Sequence, residues 1–177
     1  EYYVSKNTLD RIQKFPKPTI ALIDGYCIGG GLATALSCDL RLASEKSTFA
    51  IPAAKLGLAY DYLGIKRLRE IVGPARAKYI FYTARQFSSN EALQIGIIEE
   101  VFKNDSFSSD VMSVLNSINN NAPLTISSAK LAIDADPLDD KMLKKCKELE
   151  RICFSSKDYE EGRLAFSEKR KPIFKGH

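Results

Sequence analysis

The chain has 177 residues, of which 45% are hydrophobic and 27% charged, and its formal net charge is +4. This length and composition favour one soluble globular domain with a sizeable core. The apolar run "TIALI" is far shorter than the ~20 residues that cross a bilayer, so a membrane span is excluded. The positive charge is spread out except in "EKRKPIFK", and no recognition motif accompanies it, so nucleic acid is not expected as a partner.

Cysteine and histidine usage limits the available chemistry. Cys27, Cys38, Cys146 and Cys153 form no CxxC pair, which predicts reduced thiols in an intracellular protein. His177 is the only histidine, so histidine triads and zinc sites are excluded and no metal is predicted. The first residues, "EYYVSKN", have neither an initiator methionine nor a signal peptide, as expected for a sequence that begins inside a longer chain.

The first half of the chain reads as strands around one short helix. Glycines mark the breaks between its elements: Gly25 follows the first strand, and Gly57 and Gly64 lie in a loop region. The first strand has the apolar, β-branched pattern of a buried strand in a largely parallel sheet. The predicted elements are a strand at 19–24, a helix at 30–38, a strand at 39–44, an extended piece at 47–52 and the loop region at 53–64.

The second half reads mainly as helices. Proline and small polar residues mark where each helix begins, and glycine or proline marks where it ends. The longest of these helices carries an apolar stripe at helical spacing, for which core packing is the simplest explanation. The predicted helices begin at Pro74, at Ser89 with Gly96 as the end, at Ser108 or Ser109, at Pro123, at Asp139 and at Lys157 with Pro172 as the end; one strand, "IIEEVF", lies among them. The architecture is therefore α/β with a helical C-terminal part.

The stretch "GYCIGGGLATALSCD" places three glycines before a helix. Glycine adopts backbone angles closed to other residues, and the first N–H groups of a helix are unpaired at its positive end. Such a site binds an anion, or an oxygen that becomes anionic during a reaction. The spacing matches neither the P-loop nor GxGxxG, which argues against a nucleotide phosphate. The alternative is that the glycines serve only a tight turn and close packing.

The blocks "KPTIALIDGYCIGGG", "SCDLRLASEKSTFAIPAAKLGL" and "EGRLAFSEKRKPIFKGH" stand in an order that resembles the crotonase, or enoyl-CoA hydratase/isomerase, family. The resemblance runs from Lys17 to the C-terminus. It implies a spiral of β-β-α units, an acyl-CoA thioester substrate, and a homotrimer or a dimer of trimers. It also implies that CoA enters as part of the substrate, with no separate cofactor.

The resemblance assigns the glycine turn to the thioester. In this family two backbone N–H groups donate hydrogen bonds to the thioester carbonyl, and Gly30 matches the second donor. Gly29 and Gly31 beside it are the matching substrate-binding positions. A helix N-terminus stabilises enolate charge without a titratable side chain, which agrees with that assignment. The first donor belongs to an earlier segment of the family pattern, of which roughly the N-terminal third has no match in this sequence. If this chain is all there is, half of the oxyanion hole is expected to be missing.

The two catalytic glutamates of the family's hydratases match Ala33 and Ala53 in this sequence. Alanine moves no proton, so the paired-glutamate hydratase mechanism is not expected. Ala53 is retained as a substrate-binding position.

Asp61, in "GLAYDYLG", matches the position where dienoyl-CoA isomerases and 4-chlorobenzoyl-CoA dehalogenases place a catalytic aspartate. Between Tyr60 and Tyr62 it is the candidate general base or nucleophile, and Tyr60 is a candidate substrate-binding residue. The dehalogenases also use a tryptophan, which this chain lacks. The alternative for Asp61 is an ordinary loop aspartate that N-caps the following helix.

Lys169, in the basic tail, matches a family lysine that reaches the adenosine phosphate of CoA, often across a subunit boundary. A solvated charged face is the alternative.

The sequence therefore predicts a partial spiral core at 1–105 and a helical trimerisation part at 106–177. The predicted protein is an acyl-CoA-transforming enzyme of the enoyl-CoA hydratase/isomerase type, with Gly30 as oxyanion donor and Asp61 as acid or base. It is placed in the cytoplasm, or in the mitochondrial matrix if a transit peptide is missing. Two alternatives stay open: a catalytically silent acyl-CoA-binding or scaffold member, and a helical interaction module in which the glycine turn only packs.

Overall fold

The structure is a computed structural model that describes residues 6–177. Contacts divide the described residues into two compact units, one of residues 6–15 and 19–111 and the other of residues 16–18 and 112–177. Residues 1–5 of the predicted core lie outside the described residues. No described helix has the length and apolarity that crossing a membrane requires.

The first unit contains two three-stranded sheets, and consecutive strands alternate between them for the first four strands. The first sheet has the order β1-β3-β6 and is all parallel, whereas in the second sheet β2 pairs parallel with β4 and β4 pairs antiparallel with β5. This alternation agrees with the predicted spiral of β-β-α units. The strands are β1 (Ile20–Ile23), β2 (Tyr26–Ile28), β3 (Leu40–Ser44), β4 (Thr48–Ala50), β5 (Phe87–Ser88) and β6 (Glu100–Phe102).

Helices α1 to α4 complete this unit, and α5 crosses its boundary. The core contains fully buried side chains from α2, α3, α4, β3, β4 and the loops between elements, and Phe49 stacks on Phe87 with ring centroids 5.8 Å apart. Leu32 of α2, Leu68 of α3 and Ile97 are further fully buried apolar side chains of this core. The helices are α1 (Lys6–Gln13), α2 (Gly30–Ser37), α3 (Tyr62–Thr83), α4 (Ser89–Gln94) and α5 (Phe107–Asn119).

Helix α3 contains a break that the sequence predicted. Gly73 has φ 75° and ψ 165°, and Pro74 then begins the second part of the helix. Proline lacks the N–H that an uninterrupted helix needs and disfavours a helical residue before it, so the Gly-Pro pair interrupts the helix here. The break separates the part of α3 near Asp61 from the part that ends at Thr83.

The second unit is helical. It contains α6 (Pro123–Ile133), α7 (Asp140–Phe154) and α8 (Lys157–Glu168). The starts predicted at Pro123 and Asp139 are confirmed, with Asp139 as the N-cap of α7. The predicted stripe on α7 is half-buried throughout, which confirms that it packs: Met142, Leu143, Cys146, Leu149 and Cys153.

The structure differs from the sequence prediction in five details. Strand β1 is not fully buried, because it lies at the edge of its sheet and Leu22 is 50% exposed. The N-cap of α4 is Ser88 rather than Ser89, because Ser88 forms the capping box with Glu91. The closing helix stops at Glu168, since Lys169 has a left-handed φ of 55°. The loop region ends earlier than predicted because α3 already begins at Tyr62, and α1 was not predicted at all.

Candidate active site

The glycine turn before α2 has the backbone conformation that its sequence predicts. Gly29 has φ 58° and ψ −116°, a combination in which an L side chain is strained. Its N–H donates to the carbonyl oxygen of Ala50 at 2.9 Å, and its own carbonyl accepts from the N–H of Ala33 at 3.0 Å. The turn is thereby tied to β4 on one side and to the first turn of α2 on the other.

Helix α2 begins at Gly30 with no side-chain cap. Gly30 and Gly31 are both exposed, so solvent or a ligand reaches this end of the helix. The first N–H groups of a helix have no partner within the helix, and the helix dipole makes this end positive. The amino end of α2 is therefore an accessible set of backbone donors suited to a developing oxyanion.

Beside α2 is a small cleft that brings together three of the positions singled out in the sequence, Ala33, Tyr60 and Asp61. Its cavity volume of about 30 Å³ admits about two water molecules. Its remaining walls come from α1, α2, α3 and the end of β4: Leu9, Asp10, Gln13, Leu36, Ser37, Ile51, Leu63, Gly64 and Arg67.

Asp61 is exposed and is the N-cap residue of α3. Its carboxylate accepts a hydrogen bond from the N–H of Leu63 at 3.0 Å. The capping role that the sequence left as the alternative is therefore present. A carboxylate has several acceptor sites, so one capping bond leaves the group able to accept a proton from a ligand in the cleft.

Tyr60 is half-buried and packs edge-to-face on Phe81, with ring centroids 5.3 Å apart. Burial raises the pKa of the Tyr60 phenol, so the hydroxyl stays protonated over the ordinary range of pH. Its ring also lies 3.6 Å from where a side chain at Gly64 would begin. Tyr60 thus forms a rigid, apolar wall beside Asp61.

Ala53 lies elsewhere. It sits in a single 3-10 turn, Pro52–Lys55, is 3% exposed and belongs to the hydrophobic core. Its carbonyl oxygen accepts from the N–H groups of Leu56 and Leu58 at 3.1 and 3.0 Å. It is not among the residues that line the cleft.

Two charged residues of the cleft were missed from the sequence. Asp10 lies on α1 and pairs with Lys14 at 3.6 Å, and the Arg67 guanidinium donates to the carbonyl oxygen of Leu36 at 3.1 Å. Arg67 therefore braces the carboxyl end of α2 while lining the cleft. The spacing of Leu9 and Ile12 is the only local signal for α1, whereas nothing local to Arg67 indicates its contact with Leu36.

Lys169 belongs to the second unit, where it is exposed and ends α8 in a left-handed conformation. Its neighbour Arg170 forms a two-pronged pair with Glu161, at 2.6 and 2.9 Å, and a further contact with Glu168 at 2.6 Å. The following residues fold back along α8, because Asp158 accepts from the N–H groups of Lys175 and Gly176 at 2.7 and 2.8 Å.

Within residues 6–177, no group of three or more His, Cys, Asp or Glu side chains is arranged to hold a metal ion. The fold and the site together define an α/β protein of alternating sheets in which a glycine turn opens the amino end of a helix beside a carboxylate-bearing cleft.

Comparison with known proteins identifies the family. The family model described as enoyl-CoA hydratase/isomerase matches residues 4–177. The chain is 34% identical to the short-chain-enoyl-CoA hydratase of Clostridium acetobutylicum, covering 91% of this chain and 62% of that protein. It is 33% identical to the methylmalonyl-CoA decarboxylase of Escherichia coli, covering 94% of this chain and 65% of that protein. The chain therefore belongs to the enoyl-CoA hydratase/isomerase family, as the sequence predicted.

Solved structures confirm the fold. The crystal structure of an enoyl-CoA hydratase/carnithine racemase from Magnetospirillum magneticum superposes with a TM-score of 0.88 at 32% identity, covering 97% of this chain and 64% of that one. The chain spans less than two thirds of the length of these relatives.

Proposed function

We propose that this protein transforms an acyl-CoA thioester, with the N–H of Gly30 holding the thioester carbonyl oxygen and Asp61 transferring the proton. The observation that carries the proposal is that α2 has an exposed amino end and also contributes Ala33 to a cleft that Asp61 lines. The names of the relatives support the substrate class, because they include acyl-CoA hydratases, an isomerase and a decarboxylase.

The reactions named for these relatives differ, yet each places negative charge near a thioester carbonyl. Backbone N–H groups at a helix start stabilise that charge without reorganising during the reaction. The sharp turn at Gly29 fixes where those groups point, since its N–H and carbonyl are both held by the hydrogen bonds to Ala50 and from Ala33. Gly30 contributes only its backbone and so needs no side chain.

Asp61 is the proposed acid or base because the two positions that match the family's glutamates hold Ala33 and Ala53. Ala33 lines the cleft but carries no proton. Asp61 lines the same cleft and is exposed enough to exchange a proton with water. A reaction that needs one carboxylate, such as double-bond isomerisation or protonation of a held enolate, fits this arrangement.

Lys169 is proposed to contact the adenosine phosphate of CoA, and Gly29, Gly31 and Tyr60 to border the acyl group. Ala53, which is buried in the core and outside the cleft lining, is not retained as a substrate contact. CoA is then part of the substrate and no separate cofactor is required. We propose a homotrimer or a dimer of trimers, supported by exposed aromatic side chains in the second unit such as Phe154 and Phe166. A cytoplasmic or mitochondrial-matrix location is supported by four cysteines that form no disulfide within the described residues.

The second candidate function is acyl-CoA binding without catalysis. It is favoured by one specific observation, that the Asp61 carboxylate already has a structural role as the cap of α3. A protein that kept the turn and the cap but carried alanine at both glutamate positions would bind the thioester and release it unchanged.

The experiment that separates the two follows deuterium exchange at the α-carbon of butyryl-CoA in D₂O, together with butyryl-CoA affinity. Asp61→Asn keeps the cap, because asparagine caps as well as aspartate, but cannot act as a base. We expect exchange by the unmodified protein, loss of exchange in Asp61→Asn, and affinity within a few-fold. Asp139→Asn, at the comparable N-cap of α7, is the matched control and is expected to retain both deuterium exchange and butyryl-CoA affinity.

Binding without exchange by the unmodified protein would favour the silent member. Exchange that persists in Asp61→Asn would remove Asp61 from the mechanism, and the absence of butyryl-CoA binding would contradict both candidates.

A further inference from the structure

A second cavity lies in the first unit, away from the cleft beside α2, and shares no residue with it. We call it the Arg76 groove. Its cavity volume of about 320 Å³ is at the lower end of the range for small-molecule sites. It is lined by the second part of α3, the turn after it, β5 and α4: Arg76, Tyr79, Ile80, Arg85, Phe87, Glu91, Gln94 and Ile95.

The floor of the groove is apolar. Ile80 and Phe87 are 3% and 4% exposed, and Ile95 is half-buried beside them. Ile80 lies one helical turn from Arg76 on α3, and Ile95, the C-cap of α4, lies one turn from Glu91, so each helix presents one face to the groove. The floor offers a ligand a limited apolar surface, most of it from Ile95, the most exposed of the three residues.

One wall of the groove is a braced ion pair. Arg85 donates to both carboxylate oxygens of Glu91, at 2.6 and 3.4 Å, and its guanidinium lies 5.5 Å from the centre of the Tyr79 ring. Glu91 also accepts from the N–H of Ser88 at 3.1 Å. The hydrogen bond from Arg85 lowers the pKa of Glu91, which stays ionised. This pair is therefore electrically neutral as a unit and held in place.

Arg76 is the remaining charge in the groove. It is exposed, and it forms no ion pair within the described residues. The lining thus carries two arginines and one carboxylate, an excess of one positive charge. A guanidinium binds a carboxylate with two parallel hydrogen bonds, and a neighbouring apolar surface strengthens the pair by excluding water.

We propose that the Arg76 groove binds a small carboxylate with an apolar body about the size of one aromatic ring, its carboxylate on Arg76 and its body on Ile80, Phe87 and Ile95. The single excess charge matches one anionic group, and the volume limits the size of the body. This site is separate from the proposed thioester site and does not depend on it.

The test is a two-dimensional NMR titration of the full chain with benzoate. Saturable shifts are expected at the residues that line the groove. Arg76→Gln removes the charge and the planar guanidinium group. We expect it to weaken benzoate binding at least about tenfold, in line with the loss of a charge-assisted pair of hydrogen bonds. Lys78→Gln is the matched control, because Lys78 is also an exposed cation on α3 but does not line the groove. We expect it to change the affinity less than about twofold, as is usual for surface charges.

Two further ligands test the chemistry without any variant. Benzamide has the same ring but no charge, and inorganic phosphate has charge but no ring; both are expected to bind at least about tenfold more weakly than benzoate. The proposal is overturned if benzoate shows no saturable binding, if its shifts lie outside the groove, if Arg76→Gln binds as the unmodified protein does, or if either comparison ligand binds equally well.

Discussion

The N–H of Gly29 donates to the carbonyl oxygen of Ala50 at 2.9 Å while Gly29 itself holds φ 58° and ψ −116°. This bond joins the start of the candidate oxyanion site to β4 through a backbone conformation reserved almost entirely for glycine. A side chain here would meet Pro52 at 4.0 Å, an ordinary contact, so backbone strain and not a clash sets the cost of substitution.

Gly29→Ala is therefore expected to lower the free energy of unfolding by about 1–3 kcal/mol, the cost of holding a non-glycine residue in such a conformation. Gly31→Ala is the matched control. Gly31 has no positive φ, lies inside α2 and has open space around it, so alanine is expected to be neutral or to stabilise by up to about 1 kcal/mol. Urea denaturation of both variants measures the difference, and equal values for the two would contradict the geometry of the turn.

Two adjacent serines have different roles at the start of α4. The Ser88 hydroxyl accepts from the N–H of Glu91 at 3.3 Å as the N-cap, and Ser88 is exposed. Ser89 is 1% exposed, and its hydroxyl donates to the carbonyl oxygen of Glu45 at 2.8 Å. Ser88 is thus a capping residue, whereas Ser89 is a buried packing residue.

Ser88→Asn is expected to leave the free energy of unfolding within about 0.5 kcal/mol, since asparagine is also a good cap. Ser89→Asn forces a larger side chain into a filled site and is expected to cost about 1–3 kcal/mol. Thermal and urea unfolding of the pair provide the measurement. If Ser88→Asn lowered the free energy of unfolding more than Ser89→Asn, the roles assigned to the two serines would be wrong.

The same two serines show where sequence reasoning succeeds and where it stops. The helix start was predicted, because the capping pattern is local, but both serines are acceptable caps. The choice between them depends on the bond from Ser89 to Glu45, which lies 44 residues away in the sequence. Starts at Pro74, Pro123 and Asp139 were predicted correctly because a proline or a capping side chain fixes each of them locally.

Part of the candidate site could likewise be predicted from the sequence, and part of it could not. The glycine turn was predicted because its conformation follows from the residue type, and the family resemblance supplied Asp61. Arg67 and Asp10 were not predicted, since each reaches the cleft through the packing of a helix on α2 and not through a local motif. The core position of Ala53 also depends on long-range packing, so its place in the family pattern did not show that it lies outside the cleft lining.

The four cysteines are expected to differ in reactivity. Cys27 is 5% exposed, and burial raises the pKa of its thiol to about 11. Only the thiolate reacts, so at pH 8 about one Cys27 thiol in 1,000 is in the reactive form. Cys146 and Cys153 are partly exposed on α7.

Iodoacetamide at pH 8 is therefore expected to label Cys146 and Cys153 well before Cys27, as followed by mass spectrometry of the digested protein. In urea all four thiols should react at similar rates, which is the control for intrinsic reactivity. Labelling of Cys27 as fast as Cys153 in the folded protein would contradict the burial of Cys27.

Glu161 is expected to make the stability of the second unit depend on acid pH. Hydrogen bonds from Arg170, then from the N–H of Ile173, lower the pKa of Glu161 from 4.5 to about 2. A carboxyl group whose pKa is lower in the folded state binds protons more readily when unfolded. Its stabilising contribution is therefore fully present above the unfolded value and is lost as the pH falls from about 4.5 to about 2.

Glu161→Gln removes the ionisable group, so its melting temperature is expected to lie below that of the unmodified protein at pH 7. The difference in melting temperature should narrow below about pH 4.5, the ordinary pKa of the group, because the unmodified protein then loses the same contribution. Glu160→Gln removes an equal charge from the next position of α8, where no ion pair is present among the described contacts, and is the control. Since Arg170 also contacts Glu168, equal melting temperatures of Glu161→Gln and the unmodified protein at pH 7 would mean that Glu168 alone holds the guanidinium. A difference that stayed constant with pH would contradict the role of Glu161 ionisation.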